Sequence, residues 1–241
     1  MYILRMNALK LVVVVVCAGS FGPSAFAGVM QLDSDDRGIT LKMGVSWIAN
    51  DRIRHEDDLL SSAPRDAYEN WNSQRILLLA KAASLNATQD SYFSGTEFTA
   101  SGFMGGVAIG KPDVEYLSFE AIGFSRAVFG FSLSEETSMA VDALLSSGGP
   151  PCVSSLRLRG VGDTQFGFQA MASGQFELVV VNEELVLGAG SYLFEMVASL
   201  DQDQINFGSN SSFSGSLRVV PAPSTLGLLG VSGLIASRRR R

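Results

Sequence analysis

The sequence predicts an all-β protein, a single β-sandwich of jelly-roll type, and three observations carry that expectation. Apolar residues recur at period two in short runs. Gly, Ser and Asn clusters separate those runs about every ten residues. The 241-residue chain has 46% hydrophobic residues, and the stretch 28–218 is long enough for one domain with a real core. Two terminal segments flank that domain, an N-terminal leader over 1–27 and an apolar, arginine-ended tail over 219–241.

The strands are read in order. Ile39, Leu41, Met43, Val45 and Trp47 fall on one face of an alternating stretch. Phe129-Gly-Phe-Ser-Leu, Phe166-Gly-Phe and Phe176-Glu-Leu-Val-Val-Val repeat the habit. In Leu156-Arg-Leu-Arg the leucines point inward and Arg157 and Arg159 face solvent. A Gly-Ser-Tyr bend at 190–192 opens another strand, and Phe213 to Val220 closes the domain as its hairpin partner. Two places resist the pattern. Asp51 to Trp71 is polar and acidic and can hold a short helix, with Asp66 and Glu69 as a capping box. Arg75 to Leu85 has helical propensity but is read as one buried strand.

The ends are addresses. Arg5 and Lys10 precede the apolar run Leu11-Val-Val-Val-Val-Val-Cys-Ala, and Ala25 and Ala27 set small residues at −3 and −1 of a cleavage site. Cleavage after Ala27 by signal peptidase leaves Gly28 at the new N-terminus and discards Cys17. At the other end Pro221-Ala222-Pro223 stops any strand. An apolar helix over Leu226 to Ala236 follows, then Arg238, Arg239, Arg240 and Arg241. From Val219 to Ser237 is ~19 residues, or ~28 Å of helix, which just spans a hydrocarbon core of ~30 Å. The arginines hold the C-terminus on the cytoplasmic side.

Pro-x-Pro, a small-residue apolar helix and a terminal arginine cluster resemble the PEP-CTERM sorting signal of exported bacterial proteins. Ala222 stands where the type motif has Glu. The resemblance covers the last tenth of the chain. It implies export, transit anchoring in the inner membrane, recognition by an exosortase-like membrane protease, and delivery to the cell envelope or extracellular matrix. An unprocessed membrane anchor is the alternative.

Charge bounds the partners. Whole-chain net charge is −6, but removing Arg5, Lys10 and the four terminal arginines leaves 12 basic residues against 24 acids, about −12. Such a surface repels nucleic acid. Cys152 is then the sole cysteine, which excludes an internal disulfide.

The chemistry-bearing residues are few. His55 is the single histidine, so a multi-histidine zinc site is excluded and any Ser-His-Asp triad must use it. No Gly-x-Ser-x-Gly elbow accompanies it. Asp33, Asp35 and Asp36 resemble the opening of a calcium loop, but Arg37 and Gly44 stand where further ligands belong. Asp201 to Asn206 is similarly incomplete. Glu120, Glu177 and Glu195 alternate outward. Trp47 is read as core and Trp71 as a possible sugar-stacking platform. Gly105, Gly106 and Gly110 lack phosphate-loop spacing, and Asn86 and Asn210 head chance sequons. The expectation is an exported structural or adhesive surface protein with no cofactor and no catalysis. A carbohydrate-binding module for matrix polysaccharide is the second reading, and an envelope hydrolase the third.

Overall fold

A computed structural model describes residues 29–49, 52–64, 70–79, 83–108, 115–149, 152–203 and 207–221. Twelve strands cover them: β1 (Gln31–Ala49), β2 (Arg52–Ser62), β3 (Trp71–Leu79), β4 (Ala83–Ser94), β5 (Glu97–Ala108), β6 (Glu115–Leu133), β7 (Thr137–Ser147), β8 (Cys152–Val161), β9 (Gly167–Ala172), β10 (Glu177–Leu187), β11 (Gly190–Gln202) and β12 (Phe207–Val219). They form two six-stranded antiparallel sheets. The first runs β2-β1-β6-β11-β8-β9 and the second β10-β7-β12-β5-β4-β3. The all-β expectation holds, and the two sheets face each other as a sandwich.

Strands β5 to β12 pair as nested partners: β5 with β12, β6 with β11, β7 with β10 and β8 with β9. This is one long hairpin of eight strands folded over on itself. The first four strands widen it, β1 and β2 beside β6, β3 and β4 beside β5.

One hydrophobic core lies between the sheets, and period-two alternation builds it. Ile39, Leu41, Met43 and Val45 on β1 are buried, with Trp47 packed at the margin. Leu156 and Leu158 are buried while Arg157 and Arg159 are exposed. Phe98 of β5 meets Phe194 of β11 edge-on at 5.5 Å, joining the two sheets across the core. Gly102 gives room there, since a methyl at that position would overlap the ring of Phe213. Gly190 opens β11 at φ 154°, where a Cβ would sit 2.5 Å from Thr164 Oγ1.

Four expectations need correction. Within Asp51 to Trp71, read as able to hold a helix, residues 52–62 instead form β2 at the sheet edge, where an antiparallel ladder pairs every residue from Arg52 to Ser62 with β1. The Asp66–Glu69 capping box lies outside the described residues. Arg75 to Leu85 is not one buried strand. Its residues divide between β3 and β4, antiparallel neighbours, and Ile76 and Leu78 point outward from a sheet edge. The closing hairpin does not form either, for β11 and β12 belong to opposite sheets and face one another across the core. Finally, the apolar face of 176–181 is inverted. Phe176, Leu178 and Val180 point outward, and Val179 and Val181 turn inward.

Candidate functional site

The outer face of the second sheet carries a shallow groove of about 640 Å³. Register alignment lays its side chains out in transverse rows. One row runs Asn182 on β10, Asp142 on β7, Ser216 on β12, Thr99 on β5 and Tyr92 on β4. The next runs Val180, Leu144, Ser214, Ser101 and Asp90, and continues to Asn72 on β3. In these two rows the two middle strands present only short hydroxyl side chains, which form the floor. Taller residues on β4 form one wall and those on β7 and β10 the other.

The local sequence explains this relief. Outward positions of β12 include Ser212, Ser214 and Ser216, and its inward positions include Phe213 and Leu217 in the core. Alternation thus hides the bulk and leaves hydroxyls outside. Tyr92 stands 43% exposed, an aromatic face available beside four hydroxyl donors and acceptors. Asp142 is paired with Arg218 at 3.6 Å, which brings one cation to the groove's end. Ser146 and Ser212 close on each other at 2.7 Å toward the opposite end. The groove offers an aromatic platform, two carboxylates, an amide and hydroxyls, a set suited to polyhydroxylated ligands.

The residues singled out by sequence lie elsewhere. Asp33, Asp35 and Asp36 sit within strand β1, where extended backbone disperses them. Asp33 accepts from Ser132 Oγ at 3.2 Å, Asp36 pairs with Arg126 at 2.9 Å, and Asp35 pairs with buried Arg37. Their distinct partners point away from a shared cation, and among the described residues no group of three or more His, Cys, Asp or Glu is placed to hold a metal. Asp201 is the last residue but one of β11, while 204–206 lie outside the described residues.

His55 lies on β2. Its Nδ1 meets Ser46 Oγ at 2.9 Å, and its Nε2 lies 3.7 Å from Asp57. Hydroxyl, imidazole and carboxylate are thus neighbours, but the imidazole is 62% and the carboxylate 75% exposed, so water competes for every contact. Glu120 meets Lys42 at 3.1 Å and Glu195 meets Arg126 at 3.3 Å, both on the outer face of the first sheet. Glu177 accepts from the Ser173 and Gly174 amides at 2.7 and 2.6 Å, and these bonds hold its carboxyl below the usual range. None of these carboxylates joins the groove.

Trp71 is the clearest correction. It is 7% exposed in the core, so it cannot be a stacking platform; Tyr92, on the neighbouring strand β4, has the exposed ring. Cys152 is fully buried, and burial raises its thiol above the ordinary value. Asn86 and Asn210 lie in strands β4 and β12. Gly105 and Gly106 are buried within β5, and Gly110 is outside the described residues. Pro221 is exposed two residues after the end of β12. Ala25, Ala27, Gly28, Ala222, Pro223, the apolar stretch 226–236 and Arg238 to Arg241 lie outside the described residues. Among the described residues no helix is long and apolar enough to cross a membrane.

The groove residues escape sequence reading because they come from five strands spread between Asp90 and Ser216. The Ser212, Ser214, Ser216 alternation was the one local signal.

No protein-family model matches the chain. No curated protein matches it either. Among solved structures, T=1 particles derived from infectious bursal virus are similar at 9% identity, over 90% of this chain and 87% of theirs. The TM-score of 0.10 is too low for that likeness to carry any argument about fold or function.

Proposed function

We propose that the chain is an exported bacterial surface or matrix protein whose sandwich grips an extended polysaccharide along the outer face of its second sheet. The groove is the single observation that carries this reading: a hydroxyl-lined floor two strands wide, flanked by Tyr92 and Asp90 on one side and Asp142, Asn182 and Val180 on the other. Sugar rings stack on an aromatic face through C–H groups and exchange hydrogen bonds with carboxylates, amides and hydroxyls. An open groove admits a chain that continues past both ends. The adhesive role of a surface protein and the glycan-binding role are then one activity.

Binding is favoured over hydrolysis by spacing. Asp90 and Asp142 stand on strands three intervals apart, about 14 Å at the usual strand separation. Glycoside hydrolysis by a carboxylate pair needs about 5–9.5 Å. The nested pairing of β5 to β12 supports the jelly-roll reading, eight strands in two sheets. β12 ends at Val219 and exposed Pro221 follows, which supports a sorting tail beginning where the domain stops. That tail would be read by an exosortase-like protease after export through the general machinery.

The test is retention on immobilised neutral polysaccharides by affinity electrophoresis. Tyr92→Ala should weaken retention about tenfold, as loss of a stacked ring of ~1–1.5 kcal/mol implies, and leave the thermal midpoint in place. Equal retention of wild type and Tyr92→Ala on every polymer that binds would contradict the assignment.

A further inference from the structure

The groove face carries a surplus of negative charge. Asp90 and Asp142 line the groove, and no basic residue does. The row beyond Asp142 runs Glu184 on β10, Ala140 on β7, Arg218 on β12 and Glu97 on β5. Across these three rows Asp90, Glu97, Asp142 and Glu184 thus face a single base among the described residues, Arg218. Arg218 is already committed, 3.6 Å from Asp142 and opposite Glu97 in register. Asp90 has Asn72 and Ser101 beside it, so no base shares its row. The outer face of the first sheet is arranged differently. There Glu120 meets Lys42, Asp36 meets Arg126, and Glu195 meets Arg126 and stands opposite Arg157. One face neutralises its acids; the groove face leaves them open.

The placement of the two lining acids matters as much as their charge. Strands β5 and β12 make the floor, so the groove runs along the strands, with Asp90 in one wall and Asp142 in the other. The two acids are offset by one row, which is two residues along a strand or ~6.8 Å. Tyr92 lies on the same side of β4 as Asp90, two residues on, with its ring exposed. An aromatic face attracts a cation through its quadrupole as well as a sugar ring through contact. In a β-1,4-linked polymer successive sugars turn over, so substituents on the same carbon point alternately to the two sides. A chain laid on this floor offers them in turn to opposite walls.

We infer that the polymer held in the groove is an amino polysaccharide with free, protonated amines. This rests on the glycan reading of the groove and names the substrate class within it. A sugar stacked on Tyr92 brings its ammonium group to Asp90, and the next sugar turns its own toward Asp142, where it shares the carboxylate with Arg218. A polymer bearing carboxylates or sulfates meets like charge along both walls and is repelled. An N-acetylated polymer loses the ion pairs but keeps the ring contact and the hydroxyl floor, so it binds more weakly.

Titration calorimetry of the full-length chain in nonionic detergent tests the inference, with matched β-1,4-glucosamine oligomers, free and fully N-acetylated, as probes. The free-amine oligomer should bind at least about tenfold more tightly, and added salt should narrow that gap. Asp90→Asn should weaken the free-amine oligomer about threefold, the scale of an exposed ion pair, and leave the acetylated one and the melting midpoint unchanged. Glu120→Gln, the same loss of charge on the opposite face, should alter neither, which separates the groove from the general acidity of the domain. Equal binding of the two oligomers, or a preference indifferent to Asp90→Asn, would overturn the inference; if Tyr92→Ala still weakened the acetylated oligomer, the glycan reading of the groove would stand without it. Polylysine bound as tightly as the free-amine oligomer and indifferent to Tyr92→Ala would instead make the groove a site for basic peptides. Binding of neither oligomer would reject both the inference and the reading beneath it.

Discussion

Replacing Arg37 with Met should be among the most damaging single changes in the domain, and the reason can be worked through. Arg37 lies on β1 among inward positions, its side chain 0% exposed between the sheets. Its Nε donates to both Asp35 oxygens at 2.8 Å and its Nη2 meets Asp35 Oδ2 at 2.6 Å. Its Nη1 donates to Ser91 Oγ of β4 at 3.2 Å, and the guanidinium carbon stands 5.4 Å from the centre of the Phe129 ring. The ion pair therefore bridges the two sheets. Arg37→Met keeps much of the volume but leaves the Asp35 carboxylate, 4% exposed, without its countercharge. Breaking a buried pair from one side costs about 3–5 kcal/mol. For a domain of this size, each kcal/mol lowers the midpoint by roughly 2–4 °C, so the melt should fall by about 6–20 °C. Asp35→Leu combined with Arg37→Met removes both charges and should recover most of that loss, because desolvation nearly cancels the attraction in the intact pair. Calorimetry of the wild type, the single variant and the double variant gives the answer. A single-variant cost below about 1 kcal/mol, or a double variant worse than the single, would refute the reasoning.

Other consequences follow from single contacts. Gly102→Ala should cost about 1–3 kcal/mol by chemical denaturation, since the added methyl meets Phe213 and lies 2.5 Å from Ser125 Oγ. In a Cys17→Ser chain, Cys152 should resist Ellman's reagent at neutral pH and react fully once guanidinium unfolds the domain, because burial both blocks the thiol and raises its pKa. The Ser173 and Gly174 amide shifts should titrate with Glu177 at a midpoint below the ordinary carboxylate value. The folded pKa is depressed, so this anchoring of the turn is present above the unfolded value and is lost as pH falls through the folded one; Glu177→Gln should abolish the titration. Mass spectrometry of the exported form should find a C-terminus lacking Arg238 to Arg241, whereas an intact Arg241 would leave a plain membrane anchor.

Legibility divides along the range of the interactions. The alternation of Ile39, Leu41, Met43 and Val45, or of Leu156 with Arg157, is local, and it placed each side chain on its proper face. Pairing is not local. Nothing within 190–220 announces that β11 and β12 face each other across a core, because their hydrogen-bonded neighbours are β6, β8, β5 and β7. Arg75 to Leu85 contains no Gly or Pro, so no turn chemistry signals its division between two strands. Phe176 looked like the first inward residue of a strand; a left-handed backbone at that position sends it outward. Asp35 and Arg37 looked like a calcium ligand and its spoiler, although period two sets both on the inward face, where they satisfy each other. Trp71 seemed free to stack on sugar because its surroundings were unknown, and burial returns it to the core. The groove was the least visible feature, since its floor is assembled from Ser214, Ser216, Thr99 and Ser101, residues ordinary in any one strand.

Hydrogen exchange of the full-length chain with and without a retained polysaccharide tests the central claim most directly. The account predicts slowed exchange in 90–92 of β4, 99–101 of β5 and 214–216 of β12, the segments that line the groove, with the outer face of the first sheet unchanged. Protection confined to the first sheet, or binding that leaves these three segments as open as before, would contradict it.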